Sequence, residues 1–269
     1  MKYFLYNPLA NNGIKPELFG LELIDATKVD FGAFFEALEE GDEVVIIGGD
    51  GTINHLINHV DCEHLKNKVY LYGNGTGNDF LNDIGEKPGT EVLLNEYLKN
   101  LPTARANGIE RKYINNMSFG IDGYCCEAAD KIKARKPGKK INYTTIAVKG
   151  VLFSFKPCHA TVTVDGVTRE FDNVWLAPAM KGRYCGGGMM LAPGQDRFSG
   201  QLSVMVFCCP SRLKTMINFP KIFEGKHVEL TNMTTVLTGR KVHVKFSRPC
   251  AVQIDGDTIL NVTEYEAEQ

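Results

Sequence analysis

A three-layer α/β domain followed by an antiparallel, β-rich domain is the fold class that the sequence predicts, and three observations predict it. The β-branched run Val44-Val45-Ile46-Ile47 ends abruptly in Gly48-Gly49-Asp50-Gly51-Thr52, and Ile53, Leu56, Ile57 and Val60 then recur at helical spacing. The short run Val69-Tyr70-Leu71-Tyr72 likewise ends in Gly73-Asn74-Gly75-Thr76-Gly77-Asn78-Asp79-Phe80. From about residue 115 the texture changes to alternating runs punctuated by turn signals such as Asp165-Gly166. Strands alternating with helices imply a parallel sheet, whose ligands lie beyond the carboxyl ends of its strands.

Taken in order, Tyr3 to Tyr6 reads as a first strand, followed by the polar turn Asn7-Pro8-Leu9-Ala10-Asn11-Asn12-Gly13. Leu21 to Thr27 reads as a short strand, and Phe31, Phe34, Phe35 and Leu38 mark a helix that Gly41 ends. The Val44–Ile47 strand, apolar throughout, is expected to be buried on both faces. Val92 to Leu101 reads as a helix closed by Pro102. Beyond it, Asn116–Asp122 precedes a helix, and the basic stretch Lys131 to Lys140 follows. Strand-like runs cover 158–164, 167–171, 173–179, 201–208, 228–237, 241–246 and 251–254.

Composition sets bounds. The 269 residues suffice for two modest domains. The hydrophobic fraction of 43% and charged fraction of 23% are those of an ordinary soluble chain, and a net charge of −2 offers no global attraction to nucleic acid. Eight cysteines lack any C-x-x-C spacing and no signal peptide is evident, so a cytoplasmic location and small, buried, unpaired thiols are expected. No apolar run approaches the roughly 18 residues of a membrane span.

The glycine turns carry the chemistry. Gly48, Gly49 and Gly51 leave room for close approach, and the following helix turns its N–H groups and positive end toward whatever lies above the strand, which favours phosphate. Asp50 is awkward beside a phosphate unless Mg²⁺ or a hydroxyl lies between them. It is equally readable, with Thr52, as a helix N-cap. The second turn repeats the pattern, with Gly75, Thr76, Gly77 and Asn78 before Asp79. On one sheet edge the two together point to a shared phosphate site.

These residues resemble a known family, the catalytic domain shared by diacylglycerol kinases, sphingosine kinases and soluble bacterial lipid kinases. The resemblance is carried by Asn7-Pro8, by Gly48 to Asn54, by Gly75-Thr76-Gly77-Asn78-Asp79-Phe80 and by Asp255-Gly256-Asp257. Gly120-Ile121-Asp122-Gly123 and Gly186 to Met189 add weaker echoes. NAD kinases look similar at the first glycine motif; the Gly-Thr-Gly-Asn-Asp-Phe loop favours the lipid-kinase branch. The resemblance implies a nucleotide-binding α/β domain over residues 1–115, a β-rich acceptor domain over 116–255, a terminal segment 256–269 returning towards the first domain, and an active site in the cleft between the domains. It implies phosphoryl transfer from ATP, with Mg²⁺, to a hydroxyl of diacylglycerol or a related lipid. Two alternatives are an NAD kinase-like enzyme with a soluble acceptor and a non-catalytic nucleotide-binding protein. Neither a Walker Gly-x-x-x-x-Gly-Lys nor a His-Arg-Asp loop is present.

Carried over residue by residue, the resemblance makes Asn7, Thr27, Gly48, Gly49, Gly51, Thr52, Asn54, Gly75, Thr76, Gly77, Asn78 and Asp79 nucleotide contacts. Asp79 doubles as a Mg²⁺ residue, Asp50 becomes a catalytic phosphate residue rather than a cap, and Asp122 lies near the acceptor. Asp257 is the general base, where the family usually has glutamate. Residues 131–140 would aid transient peripheral contact with the inner membrane surface. The chain departs from the family at Gln195-Asp196-Arg197-Phe198-Ser199-Gly200, where Phe198-Ser199 replaces an acid pair that holds a structural Mg²⁺ in many bacterial members.

Overall fold

The computed structural model describes residues 1–13, 20–136 and 141–269, which divide into two compact units, Met1–Leu101 and Pro102–Gln269. In the first unit the elements run β1 (Lys2–Tyr6), β2 (Leu23–Asp25), α1 (Phe31–Glu36), β3 (Glu43–Gly48), α2 (Asp50–His59), β4 (Lys68–Gly73), α3 (Asp79–Ile84) and β5 (Glu91–Leu93). The sheet order is β2-β1-β3-β4-β5, parallel through β4, with β5 added antiparallel. Strand β3 lies at the centre, and Val44 to Ile47 are buried, as their unbroken apolar run predicts. Ile53, Leu56 and Ile57 bury one side of α2, which packs on β3. The Asp30 side chain caps α1 by accepting from Ala33 N at 3.1 Å.

The helix expected over 92–101 does not form. Its start is the edge strand β5, followed by a 3-10 turn at Asn95–Leu98. Asn95 decides this: its Oδ1 accepts from Val69 N and its Nδ2 donates to Asn67 O, both at 2.9 Å, which pins the segment across the end of β4. Such bonds outweigh local helix propensity.

The second unit opens with β6 (Thr103–Ala106), β7 (Ile109–Lys112), β8 (Asn116–Gly120), α4 (Ile121–Arg135) and α5 (Tyr143–Lys149). There follow β9 (Cys158–Val164), β10 (Val167–Met180), β11 (Tyr184–Cys185), β12 (Met189–Met190), β13 (Leu202–Cys208) and α6 (Arg212–Asn218). It ends with β14 (Thr234–Gly239), β15 (Lys241–Ile254) and β16 (Asp257–Glu268). The main sheet is antiparallel in the order β14-β13-β10-β8-β15-β16-β6-β7, and β9 pairs with both β10 and β15. Runs expected as separate strands are joined: 167–171 with 173–179 through a bulge near Asn173, and 241–246 with 251–254 through bulges near Cys250. The run 228–237 is a strand only from Thr234. His227, buried with its Nε2 3.0 Å from Leu191 O, holds the preceding residues in a 3-10 turn.

The boundary between units falls at 101/102 rather than 115/116, because β6 and β7 join the second unit's sheet: Arg105 registers with Glu266 and Ala104 with Ala267. By the same pairing, the terminal residues expected to return to the first domain form β16, an inner strand of the second unit. The core there is knitted by Phe119 stacked on Phe246 at 3.6 Å, Tyr265 Oη donating to Ala177 O at 2.8 Å and Trp175 Nε1 donating to Cys209 O at 2.7 Å. Six of the eight cysteines are buried, and all are unpaired thiols. No helix among the described residues is long and apolar enough to cross a membrane.

Candidate functional site

In the first unit, parallel pairing brings the carboxyl ends of β1, β3 and β4 to one edge, and the predicted loops meet there. The ladder runs on beyond the strands: Asn7 N donates to Ile47 O at 3.0 Å and Asn74 N to Gly48 O at 2.7 Å. Asn7 Nδ2 donates to Thr52 Oγ1 at 2.9 Å, so the loop after β1 is tied to the first turn of α2. Asn11 Nδ2 donates to Asn74 Oδ1 at 3.3 Å, a link between residues 63 apart that spacing does not reveal. Thr27 also lies at this edge, just past β2, exposed and donating its hydroxyl to Asp25 Oδ1 at 2.6 Å.

The glycines separate into two kinds. A Cβ on Gly48 would lie 2.2 Å from Thr52 Oγ1, and one on Gly49 would lie 2.6 Å from the Gly75 Cα. Gly49 and Gly75 let the two loops close on each other, and Gly48 makes room for Thr52 within the first. Gly51 faces open space and is exposed, so its missing side chain serves no packing contact. Gly75 is further held in a local ring, its N–H donating to Asn78 Oδ1 at 3.1 Å while Asn78 Nδ2 donates to Gly75 O at 2.9 Å. Asn78 takes the left-handed conformation, φ 50°, that asparagine tolerates best after glycine. Thr76 stands exposed at the loop tip, Gly77 O accepts from Asn82 Nδ2 at 3.4 Å, and Asp79 is buried in the first turn of α3. Asn54 is buried in α2, its Oδ1 3.3 Å from Asn58 Nδ2, which directs it along the helix.

Asp50 bridges the two loops. Its Oδ2 accepts from Asp79 N at 3.0 Å and its Oδ1 from Phe80 N at 2.9 Å. It caps α3 and not its own helix, and it clamps one glycine loop to the other. Its position in the first turn of α2 puts this carboxylate between two helix N-termini, where their partial positive charge stabilises it. Sequence spacing could not show a partner 29 residues away.

In the second unit, hydrogen bonds join Asp122 to the turn that precedes Asp257. Asp122, in the first turn of α4, is 9% exposed; burial pushes its pKa up, opposed by hydrogen bonds from Ser118, Gln253 and Gly123. Its Oδ1 accepts from Gly123 N at 2.8 Å and its Oδ2 from Gln253 Nε2 at 3.2 Å. Gln253 Oε1 then accepts from Gly256 N at 2.7 Å. Asp122 is thus an interior group, linked through Gln253 to the turn between β15 and β16. Asp255 anchors that turn, accepting from the N–H groups of Ile114, Asn115 and Asn116 at 2.6, 2.9 and 3.0 Å. Asp257 follows the turn, exposed, with Oδ2 accepting from Arg111 Nη1 at 2.8 Å. Gln253 and Arg111 were not legible as site residues; Gln253 is a polar residue in a fully buried stretch of strand, which only burial reveals.

The segment that departs from the family holds cations of its own. Arg197, 6% exposed, donates to Ile114 O at 2.6 Å and Asn115 Oδ1 at 3.3 Å. Lys181, 3% exposed, donates to Gln269 Oε1 at 2.7 Å, and burial pulls its pKa down to about 8. Asp196 is turned to its own backbone, accepting from Phe198 N at 2.9 Å. With Phe198-Ser199 in place of the acid pair and Asp196 turned to its own backbone, these residues offer no carboxylate pair for the structural Mg²⁺. Among the described residues no cluster of three or more His, Cys, Asp or Glu side chains could hold a metal.

The comparisons agree with this architecture. Residues 5–105 match the family model of the diacylglycerol kinase catalytic domain, and residues 115–265 match that of the YegS C-terminal NAD kinase β sandwich-like domain. A diacylglycerol kinase of Mycobacterium tuberculosis is 26% identical over 212 residues, covering 76% of this chain and 67% of its own. A crystal structure of a diacylglycerol kinase from Bacillus anthracis superimposes with a TM-score of 0.60 at 19% identity, covering 100% of this chain and 93% of its own, and shows the same fold. The chain belongs to the family of lipid kinases built from a diacylglycerol kinase catalytic domain followed by a YegS-type β-sandwich domain.

Proposed function

We propose that the protein transfers the γ-phosphoryl group of ATP to a hydroxyl of diacylglycerol or a related lipid. The observation that carries this reading is the Asp50 clamp. It holds the loops after β3 and β4 against each other, so that the first turns of α2 and α3 lie side by side with their N-termini at one sheet edge. Phosphoryl transfer asks for little more than a fixed, charge-compensating cradle and an oriented nucleophile. The backbone about Gly51 and the exposed Thr76 hydroxyl bind the phosphates. Asn7 and Thr52 hold the first loop in place for them, and Thr27 borders the nucleotide.

Mg²⁺ fits this edge. Asp50 and Asp79 supply only oxygen donors, and this ion binds through one or two carboxylates together with substrate phosphates. When bound, it offsets the charge that builds on the phosphate oxygens. On the acceptor side Asp257 takes the hydroxyl proton. Arg111 fixes the direction of its carboxylate, and the Asp122–Gln253–Gly256 relay fixes the turn that carries it.

The test is transfer from γ-labelled ATP to a panel of lipids in mixed micelles, with NAD and small hydroxyl compounds alongside. Label is expected in the lipid fraction, as phosphatidate when diacylglycerol is the acceptor. Label in NAD alone would replace the reading with its soluble-acceptor alternative. Calorimetric binding of ATP with no transfer to any acceptor would leave a nucleotide-binding protein.

A further inference from the structure

Helix α6 is oriented against the usual rule. Its Thr215 is buried and Met216 packs on the core, yet Leu213 and Ile217, one turn apart, are 68% and 66% exposed. The helix lies beside the turn Gly150–Ser154, and Arg212 Nη1 donates to Val151 O across the seam. That turn exposes Phe153 at 77%, while its neighbours Val151 and Phe155 are buried. Phe223, on the 3-10 turn after α6, is 42% exposed, and Ile222 beside it is buried. Large apolar side chains are thus displayed by backbone that is itself anchored in the core.

The segments that display them carry one sign of charge up to Glu224, which pairs with Lys226. Lys149, Lys156, Lys214 and Lys221 are exposed, and neither 141–158 nor 211–223 contains an aspartate or glutamate, although the whole chain is net acidic. An apolar surface ringed by long cationic side chains matches the boundary of an anionic bilayer, where apolar groups enter the headgroup layer and lysines reach the phosphates. A two-fold contact between copies of this chain would set lysines against lysines. The basic stretch 131–140 is less suited: Lys131 pairs with Glu127 and Lys133 with Asp130 along α4, and residues 137–140 lie outside those described.

We propose that the face formed by residues 149–156 and 212–223 docks the protein on an anionic phospholipid bilayer, with Phe153, Leu213 and Ile217 inserted and Lys149, Lys214 and Lys221 on lipid phosphates. The proposal rests on the kinase reading in one respect, that a lipid acceptor is met at a bilayer. The test is co-sedimentation with phosphatidylcholine vesicles, with and without phosphatidylglycerol. Wild-type protein is expected to bind the phosphatidylglycerol vesicles about tenfold more strongly or better, and less so in high salt. The triple variant Phe153→Ser, Leu213→Ser, Ile217→Ser and the pair Lys214→Glu, Lys221→Glu should each lose that binding with an unchanged melting temperature.

Indifference of the wild type to phosphatidylglycerol, or wild-type binding by the triple variant, would overturn the proposal. So would a triple variant that abolishes a dimer in light scattering while leaving vesicle binding intact, which would make a second copy the occupant. On short-chain diacylglycerol dispersed in detergent the triple variant should keep its transfer rate. Vesicle binding with no transfer by any form of the protein would sustain the docking face and sink the kinase reading.

Discussion

Asp50 in the first unit and Asp255 in the second use the same device for different ends. Each is a carboxylate next to a glycine, and each accepts hydrogen bonds from backbone N–H groups far along the chain. Asp50 takes those of Asp79 and Phe80, whereas Asp255 takes those of Ile114, Asn115 and Asn116. Asp50 joins two loops that both face the candidate phosphate site, with Thr76 exposed nearby. Asp255 joins a hairpin turn to the strand that carries the start of the β-rich core, and leaves the exposed position to its neighbour Asp257. One clamp assembles a site; the other holds a fold and presents a site residue beside it. Identical chemistry in the two motifs therefore does not mean identical roles.

Substitutions separate these roles. The largest loss of stability is expected from Asp255→Ala, which leaves three N–H groups without their acceptor and should cost about 3–5 kcal/mol in urea unfolding. A cost below about 1 kcal/mol would break the comparison at its structural end. Asp257→Ala should do the opposite. Stability should change by less than about 0.5 kcal/mol, since the Arg111 pair is exposed, while phosphoryl transfer falls about 100-fold or more. Equal transfer by this variant would remove Asp257 as the base.

Asp50→Asn sharpens the other end. The amide keeps one acceptor oxygen and loses the other, so a loss of about 1–2 kcal/mol in thermal unfolding is expected, as for a helix cap, accompanied by lower transfer. Reduced stability with full transfer would make Asp50 a clamp alone. The smallest effect concerns Lys181. Its ordinary value is 10.5 and burial lowers it to about 8 in the folded protein. Between those values the unfolded chain binds more protons, so this residue makes stability rise with pH across that window. Lys181→Met should abolish the rise, read as the difference between the two proteins' unfolding midpoints from pH 8 to 10.5.

Much of the fold was legible from local pattern. The unbroken apolar run at 44–47, its glycine stop and the period of the following residues announce a strand, a turn and a helix, because each signal spans a few residues only. Hairpin 158–171 was legible for the same reason, through alternation about Asp165-Gly166. The missing helix at 92–101 was not, because Asn95 bonds to residues of a neighbouring strand. Nor was the boundary at 101/102, which depends on pairing between residues about 160 positions apart, Arg105 and Glu266.

The sequence by itself determined that two glycine-rich turns and a terminal acidic turn exist, and which residue types they bring. Tertiary structure alone decided what each residue does there. It made Gly48, Gly49 and Gly75 packing glycines and left Gly51 open, turned Asp50 towards the second helix, drew Asp122 inside and kept Asp257 out. The physical reason is range: turn chemistry and periodicity are properties of neighbours in the chain. Burial and hydrogen-bond partners are set by segments that meet only when the sheets have formed.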